Sequence, residues 1–310
     1  MSASTTPTIG PAAAAAATGA DLDARPFAGA SRAGRWRRTG ERYLLWLFLG
    51  LGSVIMVGPF YWTLVTSFKE RRELLAYPPT WWPEVFTGVH WRALNDLTVG
   101  SFPLFFRNSL FLTFTITAIT LLTSSMAGYV FAKIEFRGRD RLFWVVLAMM
   151  MIPFTVTLIP SYALMADLGW INSYWALIVP IAVNPFGIFL MRQFMFSIPN
   201  DLIDASRVDG ASEFHIFFKI VLPLSQAALG ALAILTFMYQ WDNFLWPLII
   251  LNDPEKYTLP LGLAQFRGRL GTDVGPTAAG AMISVIPVLV IYAFAQRKFI
   301  EGIAMTGLKG

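Results

Sequence analysis

The sequence contains no cysteine, only two histidines, and few charges: 14% of its 310 residues are Asp, Glu, Lys or Arg. Each shortage excludes something. Without cysteine there is no disulfide scaffold, Cys-type zinc site, iron–sulfur cluster or thiol nucleophile. His90 and His215 stand 125 positions apart with no His-Glu-x-x-His spacing, so a metal site is not expected. An ordinary soluble domain carries about a quarter charged residues. This chain is 55% hydrophobic with a mean hydropathy of +0.56 and reads as a membrane protein. Its net charge of +5 would suggest nucleic acid in a soluble protein. In a membrane chain the same excess reflects basic cytoplasmic loops, and no nucleic-acid partner is expected.

The apolar residues are gathered into charge-free intervals: Arg42 to Lys69, Arg107 to Lys133, Arg141 to Asp167, Asp167 to Arg192, Lys219 to Asp242, and Asp273 to Arg297. A charge at the centre of a span costs about 2.5–3.5 kcal/mol, so these gaps mark the spans. Each holds 22 to 26 residues, and at about 1.5 Å per residue a helix of that length crosses a hydrocarbon core of about 30 Å. The fifth extends past Asp242, because Phe244 to Leu251 stays apolar. The runs do not alternate, which excludes a transmembrane β-barrel. The expected fold is therefore an all-α integral membrane protein with six transmembrane helices, at about 44–66, 108–132, 142–166, 170–191, 222–251 and 275–296. The side holding both termini carries sixteen Lys and Arg against eight on the other, so both termini are expected in the cytoplasm. Residues 1–41, with six alanines in a row from Ala12 to Ala17, read as a disordered cytoplasmic tail ahead of one membrane domain at 42–310. The first external loop has Tyr77, Trp81, Trp82 and Trp91 among prolines, a composition suited to anchoring at the lipid interface or to contact with a soluble partner.

One cytoplasmic loop, about 198–219, is patterned as two short helices. Pro199 suits a first helical turn, and Asn200, Asp201 and Asp204 place negative charge at the positive end of the helix dipole. Gly210 interrupts. After Ala211 and Ser212, the spacing of Phe214, Phe217, Phe218 and Val221 predicts one apolar face, and Pro223 marks the return to the membrane. Asp201, Asp204, Asp209 and Glu213 against a single Arg207 are wrong for an anionic lipid surface and right for a basic protein partner.

The run from Ile198 to Ser212, with Phe217, Ile220, Leu222 and Pro223, resembles the EAA loop of ABC importer permeases, the element that docks onto an ATPase subunit. Asp204 stands where Glu is usual and Ser206 where a second Ala is usual; charge sign and small size are kept. Trp241-Asp242-Asn243-Phe244, Tyr257-Thr258-Leu259-Pro260-Leu261-Gly262-Leu263 and the end from Gln296 to Gly310 are similar to parts of the maltose-type, six-helix sugar permeases. Resemblance covers about Leu44 to Gly310. It implies a bacterial inner-membrane subunit that works with a second homologous permease, two ATPase subunits and an extracytoplasmic solute-binding protein. It also implies ATPase coupling through Asp204, Ala205, Ser206, Asp209, Gly210, Ala211, Phe214, Phe217, Leu222 and Pro223, and ATPase contact by the tail at Gly302, Gly307, Lys309 and Gly310. The solute would be a sugar or oligosaccharide, or alternatively glycerol phosphate or a related polyol.

The residues fit this picture in one respect of their own. There is no Gly-x-x-x-x-Gly-Lys-Ser/Thr loop, so ATP and Mg belong on the partner ATPase, and this chain is expected to bind no cofactor and to catalyse nothing. A secondary transporter would show internal repeats and several intramembrane ionisable groups. Here the two-helix loop occurs once, and Asp242 is the one intramembrane acid. A membrane enzyme would need a nucleophile elbow or paired carboxylates, which are missing. On a helix of about 100° per residue, Tyr239, Gln240, Asp242 and Asn243 share a face opposite Phe237, Met238, Trp241, Phe244 and Leu245. A polar face inside lipid looks toward a cavity or a partner helix. Those four, with Asn184 on the fourth span, are the candidate solute path.

Because the chain has no native cysteine, its topology is directly testable. A single cysteine at Thr87 should react with an impermeant thiol reagent in whole cells and one at Ser212 should not. The reverse pattern overturns the assignment of sides.

Overall fold

The computed structural model describes residues 32–95, 101–269 and 274–307, with side chains described for 42–95, 101–265 and 274–294. The tail through residue 31, Asp273, Lys309 and Gly310, all invoked above, lie outside the described residues. Among the described residues the regular structure is helical, with no strand. The chain divides at Gly58 into two compact units, Met1–Gly58 and Pro59–Gly310. The described part of the first belongs to helix α1 (Arg32–Thr66), and its apolar side chains from Tyr43 to Val57 are exposed.

The second unit begins with a folded loop. Two short helices, α2 (Arg71–Leu74) and α3 (Val89–Ala93), are tied down by buried polar groups. The Lys69 ammonium donates to the Thr80 carbonyl and lies over the Trp62 ring, and Glu73 accepts from the Thr80 hydroxyl and the Glu84 amide. Tyr77, Trp81 and Trp82 remain exposed, as an aromatic belt requires.

Helix α4 (Phe102–Lys133) is the longest in this unit apart from the last. Pro103 in its first turn loses no hydrogen bond, and the chain leaves it at Ile134 in extended conformation. It is followed by α5 (Arg139–Met150), α6 (Phe154–Asp167), α7 (Trp175–Ile178), a 3₁₀ turn at Val179–Ile181, and α8 (Pro185–Phe196). Then come α9 (Asn200–Val208), α10 (Glu213–Ile216), a π-helical turn at Phe217–Val221 and α11 (Leu222–Leu224). The membrane part closes with α12 (Gln226–Trp241), α13 (Leu245–Ile250), α14 (Leu259–Arg269) and α15 (Val274–Gly307).

Four helical segments, Arg42–Thr66, Phe102–Lys133, Trp175–Phe196 and Val274–Phe294, are long and apolar enough to cross a membrane. Two bent pairs raise the number to six if each is one span: α5 with α6, at 99°, and Glu213–Leu224 with α12, at 78°. The expected third, fourth and fifth spans are thus not continuous helices. The third breaks at Met151–Pro153, where the residue before a proline is driven out of the helical region. The fourth opens at Ala182–Asn184, just before Pro185. The fifth starts after a break at Ser225 and stops at Trp241, because Pro247 lacks an amide and crowds the carbonyl of Asn243. The last helix runs beyond the expected end of its span, carrying Gly302 and Gly307 as continuous helix.

Broken helices leave polar backbone groups that lipid cannot satisfy. Helix α4 supplies partners from four short polar side chains, Asn108, Ser109, Thr120 and Thr123, while Thr117 and Ser124 lie buried on it without a hydrogen-bond partner among the described residues. Thr120 donates to the Ile181 carbonyl at 3.4 Å, and Thr123 to that of Ala182. At one end of α4, Asn108 donates to the Glu255 and Tyr257 carbonyls at 2.8 and 3.1 Å, and Ser109 accepts from the Leu259 amide at 2.7 Å. Close approach of α8 to α4 depends on Gly187, where an added Cβ would lie 2.9 Å from the Ser124 Cβ.

Gly187→Ala should therefore force α8 away from α4 and cost about 1–3 kcal/mol, read as a lowered melting temperature of the purified protein in detergent. Ser124→Gly in the same chain should restore much of the loss. An unchanged melting temperature in the single variant contradicts this account of the contact.

Candidate functional site

At the end of the molecule marked by Lys133, the segment 198–225 folds back against α4 and α8. Pro199 precedes α9 in extended conformation, and Asp201 lies in the first turn, where a negative charge complements the dipole. The helix ends in a Schellman arrangement: the Ala211 amide donates to the Ser206 carbonyl and the Gly210 amide to the Arg207 carbonyl, both at 3.0 Å. Gly210 has φ +81°, and nothing lies within 4 Å of the Cβ it lacks. Glycine is needed here for backbone conformation and not for close approach. Ser212 then caps α10 by accepting from the His215 amide at 3.3 Å.

The apolar side of this segment differs from the expected one. Ile203, Ile216, Phe217 and Val221 are buried in one cluster with Tyr129 and Ala132 of α4 and Met191 and Met195 of α8. Phe214 and Phe218, expected on the same face as Phe217 and Val221, are instead 68% and 44% exposed. The reason is the π turn at Phe217–Val221, whose wider winding breaks the 3.6-residue period. Pro223 accounts for the turn, since a regular helix would drive its ring into the Lys219 carbonyl. Leu222 is half-buried and Pro223 exposed beside the Ser225 break.

The polar side is a chain of hydrogen bonds. Arg207 donates to Asp204 at 3.0 Å and to Glu213 at 2.8 Å, and Glu213 accepts from the Tyr129 hydroxyl. The Glu213 hydrogen bond, with Asp204 beside it, pushes the Arg207 guanidinium above its ordinary pKa. Asp204 keeps 64% of its side chain exposed. An ion pair that open contributes at most about 0.5 kcal/mol, so another cation can take Arg207's place at little cost. Ala205 and Asp209 are exposed, and Ser206 donates to the Leu202 carbonyl at 2.8 Å. Ser206, Asp209, Gly210, Ala211, Ser212 and His215 line an open concavity of about 550 Å³. His215 carried no signal in the sequence, because neither a motif nor a spacing singles it out.

The second group of candidates lies among the helix breaks. A cavity of about 320 Å³ is lined by Thr157 and Ser161 of α6, Asn184 at the break before α8, Tyr239 of α12, Asn243 between α12 and α13, and Trp246 of α13. No lining residue is charged. Phe154 meets the Trp246 ring edge-on at 5.9 Å within it. Asn184 also accepts from the Gly187 amide at 3.0 Å, capping α8. Gln240 turns inward, 9% exposed, toward Thr113 and Thr258, and Asn243, which lines both spaces, donates its side-chain amide to the Gln240 Oε1 at 3.4 Å. Asp242 is exposed and lines neither of these two spaces. The wheel that grouped these four residues fails beyond Trp241, where the helix stops. Thr157 and Ser161 were not anticipated. Their spacing of four around Pro160 is a signal, though a weak one inside an apolar run.

Residues 119–299, more than half of the chain, match the family of binding-protein-dependent transport system inner membrane components. The chain belongs to that family, and with several apolar helices it is a multi-pass membrane protein. Among its relatives is the arabinooligosaccharides transport system permease protein AraQ of Halalkalibacterium halodurans, 36% identical over 284 residues, covering 88% of this chain and 100% of that protein. Another is the sn-glycerol-3-phosphate transport system permease protein UgpE of Escherichia coli, 32% identical over 263 residues, with 82% and 92% covered. The fold is similar to the crystal structure of a bacterial ABC transporter involved in the import of the acidic polysaccharide alginate. There the TM-score is 0.73 at 24% identity, over 87% of this chain and 98% of that one.

The positive φ at position 210 generates a graded expectation. Gly210→Ala should cost about 1 kcal/mol or more locally and Gly210→Asn less, since asparagine tolerates the left-handed region. Limited trypsin digestion of the purified protein should show faster cleavage after Arg207 in the order Ala, Asn, wild type. Equal rates would mean that the turn does not depend on glycine.

Proposed function

We propose that this chain is one permease subunit of an ATP-driven importer for a sugar or oligosaccharide, spanning the bacterial inner membrane six times with both termini cytoplasmic. A second homologous permease completes the pore, two ATPase subunits holding ATP and Mg dock beneath it, and an extracytoplasmic solute-binding protein delivers the solute. Asp204, Ala205, Ser206, Asp209, Gly210, Ala211, Phe214, Phe217, Leu222 and Pro223 form the coupling element. Phe214 is its outward anchor, Asp204 its charge for a basic ATPase side chain, and Phe217 the part buried in the permease. The tail at Gly302, Gly307, Lys309 and Gly310 adds a second contact with the ATPase pair. Support for the orientation comes from the sixteen-to-eight distribution of Lys and Arg.

The observation that carries the choice of solute is the uncharged lining of the cavity among the helix breaks. Phosphate is held by Arg, Lys or clustered backbone amides, and charge-assisted bonds are its mark. Hydroxyl, amide and aromatic groups, as in Thr157, Ser161, Asn184, Tyr239, Asn243 and Trp246, suit the hydroxyls and faces of a sugar. That favours a sugar over glycerol phosphate, although relatives named for both exist. Tyr239 is 64% exposed and Asp242 also lies open. Both face outward to the surface the second permease covers. Gln240 holds Asn243 in place from behind.

The test is uptake by the complete transporter with arabinotriose and sn-glycerol 3-phosphate as competing solutes. Asn243→Ala and Tyr239→Ala should each raise the apparent KM for the sugar about five- to tenfold, the worth of one net hydrogen bond. Gly210→Asp should leave the subunit in the membrane and abolish uptake. Uptake of glycerol phosphate in preference to sugar, or no ATPase subunit co-purifying with the wild-type chain, would sink the reading.

A further inference from the structure

Two side chains of α4 have no part in the coupling motif or the cavity, yet both hold the loop that carries the motif. Lys133, the last residue of α4, is 9% exposed. Its ammonium donates to the Ile198 carbonyl at 2.6 Å and to the Asn200 side-chain oxygen at 2.7 Å, and so grips the chain where α9 begins. Tyr129, one turn earlier and 4% exposed, donates to Glu213 at the start of α10 and packs its ring against Phe217 at 5.5 Å. Glu213 is bonded in turn to Arg207, and Arg207 to Asp204 on the outer face. Both helices of the loop are therefore clamped to the same two turns of α4, at opposite ends of the segment. Neither clamp can slide without leaving a buried ammonium or hydroxyl unpartnered, which is costly.

We infer that Tyr129 and Lys133 are positioning residues that make the 198–217 loop a rigid extension of α4, so that a push on the loop moves α4 instead of bending the chain at Pro199 or Gly210. The inference rests on the coupling role given above to this loop. It adds the point at which motion passes into the membrane. α4 is suited to receive it, because Thr120 and Thr123 of the same helix bond the carbonyls of Ile181 and Ala182 at the break that borders the cavity. The exposed Asp204–Arg207 pair is the weak outer link, open to exchange with a partner's cation, and the half-buried Tyr129–Glu213 and buried Lys133–Ile198 bonds are the inner ones.

Two measurements on the full chain test this. Spin labels at Val130→Cys and Val208→Cys, both exposed sites, report the spread of distances between α4 and α9 in the purified protein. Tyr129→Phe with Lys133→Met should broaden that distribution, and Lys133→Arg alone should keep it narrow. In the assembled transporter the double variant should still retain its ATPase subunits, but ATP hydrolysed per arabinotriose imported should rise about tenfold. Lys133→Arg should stay near the wild-type ratio, which a merely structural loss would not restore. An unchanged distance distribution overturns the clamp, and a broadened one with an unchanged ratio overturns its role in transmission. Failure of the wild-type chain to retain an ATPase would instead remove the functional reading, with the distance measurement still deciding whether the clamp exists.

Discussion

Backbone amides and carbonyls inside lipid must find their partners within the protein, and this constraint organises the second unit. The third, fourth and fifth candidate spans are interrupted, and each break leaves carbonyls without a partner in a regular helix. α4 meets the need at four positions with short polar side chains. Thr120 and Thr123 serve the break at Ala182, and Asn108 and Ser109 serve the loop before α14. Short polar side chains also allow close approach, which is why Gly187 can lie directly against Ser124.

One continuous helix thus touches each of these parts. Its first turns hold the 255–259 loop, its middle holds the break beside the cavity, and its last turns hold the 198–217 segment through Tyr129 and Lys133. A cavity bordered by broken helices has discrete places at which it can open. On the reading proposed above, a strut beside those places would convert a displacement at one end into a change at the middle, the kind of rigid-body switch that couples distant sites. The opposite end is secured independently: Asn172 accepts from the Asn252 and Asp253 amides, and Lys256 donates to the Asn172 carbonyl at 3.0 Å.

Much of this was legible in the sequence, for reasons that also explain what was not. Charge-free intervals locate apolar segments because insertion energy depends on charge, but hydropathy does not register a break whose flanks are equally apolar. Pro153, Pro185 and Pro247 were the available signals for the three interruptions. The 198–223 segment was visible because Pro199 and Pro223 mark its limits and Gly210 its internal turn through backbone conformation, a property of single residues. Which phenylalanines face outward was not visible, since Pro223 imposes a π turn that shifts the helical period upstream of itself. The clamp from Tyr129 and Lys133 was hidden by distance: 65 positions separate Lys133 from Ile198, and 84 separate Tyr129 from Glu213. Thr157 and Ser161 reach the cavity because α5 and α6 bend by 99°, and a proline in the sequence marks a break without giving its angle.

The open character of the cavity fits what a pore must do. A tight site would enclose its ligand and hold it, yet conduction needs binding strong enough to draw the solute in and weak enough to release it. Here Tyr239 is 64% exposed, and the lining offers neutral hydrogen-bonding groups and no charge. Each neutral bond to a hydroxyl is worth only about 1 kcal/mol net against water. A site built this way binds little by itself. In the arrangement proposed above, its affinity would depend on the surface that meets Tyr239 and Asp242 from the second permease, and a movement of α4 that separated the two surfaces would lower affinity without changing any residue in the cavity.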